Sequence, residues 1–376
     1  MGTAISCIQA LPPLDTLLHP PPETYAQLIN IFQYFPAISL IQWLTSFHPA
    51  GKTSLKSSPL NLPGRWAWFT MEIISPLNLL YLLTTLPQKY SLPPLPPLNK
   101  FLAALFVLHY INRAIISPFF AAPSMSPIHG GIVLAAGAFN WFNSACLAGW
   151  LVGYPLSLKG LDGSGTAITG GDGVMKMIIG KLGLILFILG MACNIHAERT
   201  LFRLRREEAL RRLEKNSSPS PSTSTSTPTI KDTTPQNQQK DQQENDNGNR
   251  ERNIYHKIYT IPPPTGLFTS ILYPHYVAEW IEWTGFALLG ACISPTSPIL
   301  NTLGSRPTLH LAPWLVPAAK LASWAGVGFP VPAVVFVVNA VTNMLPHARW
   351  GRVWYVERFG ERVQGRGAVV PFVSWL

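Results

Sequence analysis

The sequence predicts an all-α polytopic membrane protein with about seven transmembrane helices. Only 12% of its 376 residues are charged and 47% are hydrophobic, whereas a soluble domain carries about 25% charged residues. Apolar runs of about 20 residues, the length needed to cross a bilayer's hydrocarbon core, recur along the chain. Clusters of proline and glycine separate them, as at Pro93–Pro97, Gly160–Gly173 and Pro262–Gly266, where the chain must turn or end a helix.

The expected spans lie near Tyr25–Phe47, Trp66–Leu86, Phe101–Phe120, Ile128–Tyr154, Met175–Ala197, Leu267–Ile293 and Ala312–Leu345. Ahead of them the segment 1–22 reads as an N-terminal extension. It lacks a basic region before its apolar residues and is interrupted by Pro12, Pro13 and Pro20–Pro22, so a cleavable signal is not expected. Residues 23–206 form the first five spans. Glu198–Glu214, rich in Arg, Glu and Leu, reads as a helix leaving the membrane. Residues 207–256 are a polar insertion. Its stretch Asn216–Asn249 is Ser, Thr, Pro, Gln, Asn and Asp with almost no apolar residue, and it cannot bury enough surface to offset the entropy of ordering. Residues 257–376 hold the last two spans and a tail.

The formal charge of +10 does not point to nucleic acid. Lys and Arg crowd Arg199–Lys215, Arg250–Lys257 and Arg349–Arg366, abutting apolar runs, as in cytosolic flanks of membrane spans. The fifth-to-sixth loop and the C-terminal tail are therefore expected on the cytosolic side and the charge-poor N-terminus on the other. The four cysteines, Cys7, Cys146, Cys193 and Cys292, are scattered without a CxxC pair. Neither a disulfide framework nor a metal site is implied. Gly163, Gly165, Gly170, Gly171 and Gly173 superficially suggest a phosphate cradle, but no strand–turn–helix pattern surrounds them. A loop is the expected reading.

Polar residues inside apolar runs carry the chemistry. Glu72 lies in the second run, where an unpaired carboxylate costs several kcal/mol, roughly, so it is expected to be protonated or hydrogen-bonded. His109, Tyr110 and Arg113 fall together in the third. Three such groups in one membrane segment require water, a partner or a ligand.

The C-terminal part carries an ordered set: Tyr259-Thr-Ile-Pro262, Gly266-Leu-Phe268, Pro274-His-Tyr-Val-Ala-Glu279 and Glu282-Trp-Thr-Gly285-Phe. Trp354-Tyr355, Phe359-Gly360 and Val370-Pro371-Phe372 follow. Upstream are Phe69-Thr-Met-Glu72, His109-Tyr110-Ile-Asn-Arg113 and Asn194-Ile-His196-Ala-Glu198. Together they resemble the steroid 5-alpha-reductase family from the second span to the end, the polar insertion excepted. The sequence departs from that pattern at Met71 (usually Gln), Glu198 (usually Asp), Thr260 (usually basic) and Trp350–Val353, where histidines are usual.

The resemblance implies a helical bundle enclosing a cofactor and lipid-substrate cavity, in an integral protein of the endoplasmic reticulum. It implies NADPH-dependent reduction of a carbon–carbon double bond conjugated to a carbonyl in a lipid, a 3-oxo-4-ene steroid or sterol above a polyprenal or an enoyl thioester. Glu72 and Tyr110 would hold the substrate carbonyl. Hydride addition puts negative charge on that oxygen, and donors placed there stabilise it. Arg113, Asn194, Glu198, Arg205, Tyr259, His275, Glu279 and Tyr355 would face the cofactor. No GxGxxG follows a strand, so the dinucleotide would sit among helices rather than on a Rossmann domain. An arginine such as Arg205 suits a 2′-phosphate.

Two other classes compete. Isoprenylcysteine-type membrane methyltransferases share a His-Pro-x-Tyr-like turn, but Pro274-His-Tyr reverses that order, and Glu72, Tyr110 and Asn194-x-His196 lie outside the shared region. A transporter or scaffold would be expected to show matching half-repeats, and none is visible. No obligate protein partner is evident.

Overall fold

A computed structural model describes residues 13–45, 58–159, 173–217, 254–255, 258–293, 307–363 and 365–373. Cys7, the glycines Gly163–Gly171 and the polar stretch beyond Ser217 lie outside the described residues. The described chain is α-helical. Its helices are α1 (Leu14–Leu18), α2 (Pro22–Phe32), α3 (Ser39–Leu44), α4 (Gly64–Lys89), α5 (Pro97–Tyr110), α6 (Gly130–Leu151), α7 (Gly173–Ser217), α8 (Pro274–Gly290), α9 (Val316–Trp324) and α10 (Val331–Phe359). Strands are two residues long: Asn61–Leu62 pairs antiparallel with Ile128–His129, and Ser157–Leu158 parallel with Thr308–Leu309.

Among the described residues, five helices are long and apolar enough to cross a membrane: Gly64–Lys89, Pro97–Ala121, Gly130–Leu151, Gly173–Lys215 and Val331–Val363. They match the second to fifth and the seventh expected spans. The sixth stretch forms α8, whose 17 residues extend about 25 Å at 1.5 Å per residue.

The first stretch is broken rather than continuous. α2 stops at Phe32, and a 3₁₀ turn at Phe35–Ile38 leads into α3. Side chains tie the break to distant segments, and one of them satisfies the Phe32 carbonyl at the end of α2. Gln33 donates to the carbonyl of His310 (2.8 Å) and accepts from the amide of Ala312 (2.9 Å), while Asn339 donates to the carbonyl of Phe32 (3.0 Å). The seventh span also starts later than expected, at Val331. The segment before it ends α9 at Trp324 and turns through Gly326, whose φ of 65° favours glycine. In consequence Trp354 and Tyr355 lie within α10 instead of following it.

Helix α5 continues into a π-helical segment, Ile111–Ala121, which carries Arg113 and Ser117. Its wider winding closes with the amide of Ala122 on the carbonyl of Ser117, 2.8 Å away and five residues back. Arg65 staples the start of α4 to the end of this segment, donating to the carbonyls of Pro118, Ala122 (2.9 Å) and Pro123 (3.2 Å).

The closest helix pair is α7 with α8. Gly183 and Gly190 are seven residues apart and share one face of α7. A Cβ at Gly183 would lie 2.6 Å from the nitrogen of Leu289, and one at Gly190 2.5 Å from the nitrogen of Glu282. Rising numbers on α7 thus meet falling numbers on α8, so the two helices run antiparallel with their backbones in contact. Small residues are what permit such an approach in a membrane, where packing rather than water expulsion joins helices. Around this pair Phe106 of α5, Phe187 of α7, Trp283 and Phe286 of α8 and Phe336 of α10 form a buried aromatic core, with Trp283 and Phe336 4.6 Å apart.

Replacing Gly190 with Ala is expected to lower stability by about 1–3 kcal/mol, because the methyl meets backbone that cannot swing away. Gly173→Ala, with nothing within 4 Å of the added carbon, should be near neutral. Thermal unfolding of the two variants in detergent checks the contrast; equal loss from both would contradict the close packing.

Candidate active site

One end of the bundle gathers the polar side chains. Arg205 donates to the carbonyls of Ser124 and Tyr255 (both 3.3 Å), and Arg206 to that of Ala121. These contacts bring the far end of α7 to the end of the π segment, beside the start of α4.

Just inside this end, Arg113 lies between two carboxylates. Its Nε donates to Glu72 Oε1 on α4 (3.2 Å) and its Nη1 to Glu279 Oε2 on α8 (3.3 Å). Both glutamates are buried, each 7% exposed. Trp68, one turn before Glu72, lies 5.0 Å from the guanidinium and donates through Nε1 to the carbonyl of Arg113 (3.0 Å). Glu198 of α7 accepts from Ser117 Oγ (3.3 Å), one turn further along the π segment.

A second buried pair stands behind the first. His109 Nδ1 and Glu282 Oε1 are 2.7 Å apart, both sealed from solvent, with the His109 ring 4.5 Å from Trp283. The three polar groups expected to need partners in the third span therefore have them. His109 takes Glu282, Arg113 takes Glu72 and Glu279, and Tyr110 takes Asn140. Tyr110 Oη donates to Asn140 Oδ1 on α6 (3.0 Å), and Asn140 Nδ2 donates to the carbonyl of Met71 (2.6 Å) and, more weakly, to Glu72 Oε2 (3.5 Å).

Glu72 and Tyr110 both reach the amide of Asn140, a residue not foreseen from the sequence. Arg113, expected toward a cofactor, contacts Glu72 and Glu279 at once. Glu72, Glu198, Glu279 and Glu282 outnumber Arg113 and His109, so four carboxylates share one guanidinium and one imidazole.

The remaining predicted residues fall into two neighbourhoods. His275, in the first turn of α8, and Tyr355 of α10 both lie against Tyr273, at ring separations of 5.6 and 6.3 Å. Tyr259 meets Trp354 edge-on at 5.0 Å, and the guanidinium of Arg358 lies 4.7 Å from its ring. Arg205 is joined to Tyr255, just upstream of that loop. On α7, Asn194 lies one turn from Glu198; it is 6% exposed and its Oδ1 has no protein partner.

Arg366, not singled out from sequence, holds this region together. Only 5% exposed, it donates to the carbonyls of Pro262 (2.8 Å) and Arg362 (3.2 Å), while its own carbonyl accepts from Arg352 Nε (2.8 Å). The amides of Leu272 and Tyr273 then bond the carbonyls of Gly367 and Ala368 (3.0 and 2.9 Å). Burial lowers the pKa of Arg366 from the ordinary arginine value. The tail thereby fixes the loop that delivers His275 and Glu279.

A polytopic helical membrane protein with a charged, hydrogen-bonded centre at one end of its bundle is the class these features define. No family model matches the chain. The Arabidopsis thaliana steroid 5-alpha-reductase DET2 is 26% identical over 93% of this chain and 95% of its own length. The Rattus norvegicus 3-oxo-5-alpha-steroid 4-dehydrogenase 1 is 23% identical over 92% and 94%, and an uncharacterized protein of Schizosaccharomyces pombe is 25% identical over 93% and 98%. The chain is thus similar, over most of its length, to proteins named steroid 5-alpha-reductase and 3-oxo-5-alpha-steroid 4-dehydrogenase.

Removing Arg113 strands two carboxylates. Arg113→Leu is expected to cost about 2–3 kcal/mol, below the ~3–5 kcal/mol of a fully buried pair, because the Arg113 side chain remains 23% exposed. Arg113→Lys, which keeps the charge but loses the fork that reaches both glutamates, should cost less. Thermal unfolding in detergent measures both; an Arg113→Leu variant as stable as the wild type would show that the glutamates do not depend on it.

Proposed function

We propose that this protein is an NADPH-dependent reductase of the carbon–carbon double bond of an α,β-unsaturated carbonyl lipid, with a 3-oxo-4-ene steroid or sterol as substrate. The observation that carries this reading is the convergence of Glu72 and Tyr110 on Asn140, beside Arg113 and within apolar helices. The names of the relatives supply the substrate class.

The donor set fits a dinucleotide. Asn194 Oδ1 and Arg205 Nε are buried without protein partners, one an acceptor for an amide and the other a donor for a phosphate. Tyr259, Trp354 and Arg358 offer flat surfaces near the same end. Asn194, Glu198, Arg205, Tyr259, His275, Glu279 and Tyr355 are the residues assigned to holding NADPH, with Arg113 bordering both halves of the site. When bound, NADPH supplies the hydride that adds to the β carbon.

The chain's own residues manage the charge that results. Negative charge develops on the substrate carbonyl oxygen, and Tyr110 Oη–H donates to it. Glu72 donates a second hydrogen bond when it carries a proton. Arg113 keeps Glu72 in place from the other side. The apolar helices exclude water, so each of these bonds acts in a medium of low polarity and is stronger for it. The C-terminal tail and the Arg-rich end of α7 are assigned to the cytosol, in the endoplasmic reticulum membrane.

Two outcomes test the reading with purified protein. NADPH should support turnover of a 3-oxo-4-ene steroid far better than NADH, and Arg205→Ala should chiefly raise the KM for NADPH; equal use of both nucleotides by the wild type would count against the phosphate assignment. Glu72→Gln and Tyr110→Phe should each lower kcat by about 100- to 1000-fold while NADPH still quenches tryptophan fluorescence. Reduction of a polyprenal or an enoyl thioester, but not the steroid, would reassign the substrate and leave the chemistry intact.

A further inference from the structure

Asn140 is 4% exposed, and both polar atoms of its amide are engaged. Its orientation is fixed by its partners. The carbonyl of Met71 can only accept, so the nearer end of the amide must be Nδ2, and Oδ1 is then left to receive the hydroxyl proton of Tyr110. Flipping the amide would set oxygen against oxygen at Met71 and against the Glu72 carboxylate. A side-chain hydroxyl braces its backbone as well, since the carbonyl of Asn140 accepts from Ser144 Oγ at 2.8 Å.

We infer that Asn140 is a positioning residue that sets the direction in which Tyr110 and Glu72 present their hydrogens, and so selects the transition state over the bound substrate. The inference rests on the reading of Glu72 and Tyr110 as the carbonyl clamp. In the resting site the Tyr110 proton is committed to a neutral amide oxygen. A ground-state carbonyl is a comparable acceptor, and moving the proton to it gains little. An oxygen that is acquiring negative charge is a much stronger acceptor. The exchange from Asn140 to the substrate therefore becomes favourable as hydride arrives, which lowers the barrier more than it tightens binding. Glu72, tethered by the other end of the same amide and by Arg113, stays aligned on the same oxygen.

The test compares Asn140→Leu, Asn140→Asp and Tyr110→Phe as purified full-length protein, with NADPH and a 3-oxo-4-ene steroid, following kcat, KM and the pH profile, with NADPH binding read separately by tryptophan fluorescence. Asn140→Leu is expected to lower kcat by about 10- to 100-fold, as for other small misplacements of catalytic groups, with little change in NADPH affinity or steroid KM. Asn140→Asp keeps the shape but places an acid against Glu72 and the Met71 carbonyl. It can imitate the amide only when protonated, so its kcat should recover at low pH and fall as pH rises, along a limb the wild type lacks. A merely structural asparagine would give an Asp variant whose profile parallels the wild type, and that result, or an Asn140→Leu enzyme of wild-type kcat, overturns the inference. If Asn140→Leu does not yield folded protein, the profile of the near-isosteric Asp variant decides alone. Tyr110→Phe separates the two levels: wild-type turnover by that variant sinks the clamp itself, whereas its loss alongside an unaffected Asn140→Leu sinks only the role given to Asn140.

Discussion

A guanidinium placed among carboxylates inside a membrane bundle constrains everything around it. Arg113 reaches Glu72 on one helix and Glu279 on another, and neither glutamate could be held there unpaired without a cost of several kcal/mol, roughly. The pairing demands that α4, the π segment and α8 meet at one depth. The π winding of Ile111–Ala121 and the Arg65 staple onto Pro118, Ala122 and Pro123 serve that demand, since together they set the register of Arg113 against Glu72. Trp68 completes the enclosure by stacking on the guanidinium and bonding the backbone that carries it.

The second constraint is the backbone contact of α7 with α8. Gly183, Gly190 and Gly285 let these helices touch, and this brings Glu198, Glu279 and Glu282 to α5 and the π segment, where Ser117, Arg113 and His109 receive them. Packing and electrostatics are therefore coupled: a helix pair spaced by larger side chains would separate each of these donors from its acceptor. The His109–Glu282 pair, sealed behind Tyr110 and against Trp283, links the charged centre to the aromatic core. The C-terminal segment acts from outside, where Arg366 bonds the loop that leads into α8.

Much of this was legible in the sequence because a membrane makes polar residues conspicuous. Glu72, His109, Tyr110, Arg113, Glu279 and Glu282 stand out against apolar neighbours, and the paired spacing of Asn194 and Glu198 puts both on one helical face. Asn140 was not foreseen: a single amide in an uncharged run carries no local signal of its partners, which come from α4 and α5. The nearby Asn143, also fully buried, was the available hint that this face of α6 is polar. Helix breaks were harder to place. Hydropathy alone fused Ala312–Leu345 into one span although Gly326, Gly328 and Pro330 mark its interruption. The first stretch likewise hid a break at Gln33 that long-range hydrogen bonds to His310, Ala312 and Asn339 make tolerable. Arg366 could not be assigned from sequence, because a basic residue in a basic tail looks like a membrane flank until its carbonyl partners are known.

The central claim is that this bundle passes a hydride to a conjugated double bond while its own residues hold the charge on the carbonyl. The most direct measurement uses purified protein, NADPH carrying deuterium at the transferable position of the nicotinamide, and a 3-oxo-4-ene steroid, with the product examined by mass spectrometry and NMR. The account predicts a saturated 3-oxo product with one deuterium at the former β carbon and, in ordinary water, protium added at the α carbon. A product with no deuterium at the β carbon, or cofactor left unoxidised while the substrate is consumed, would contradict it.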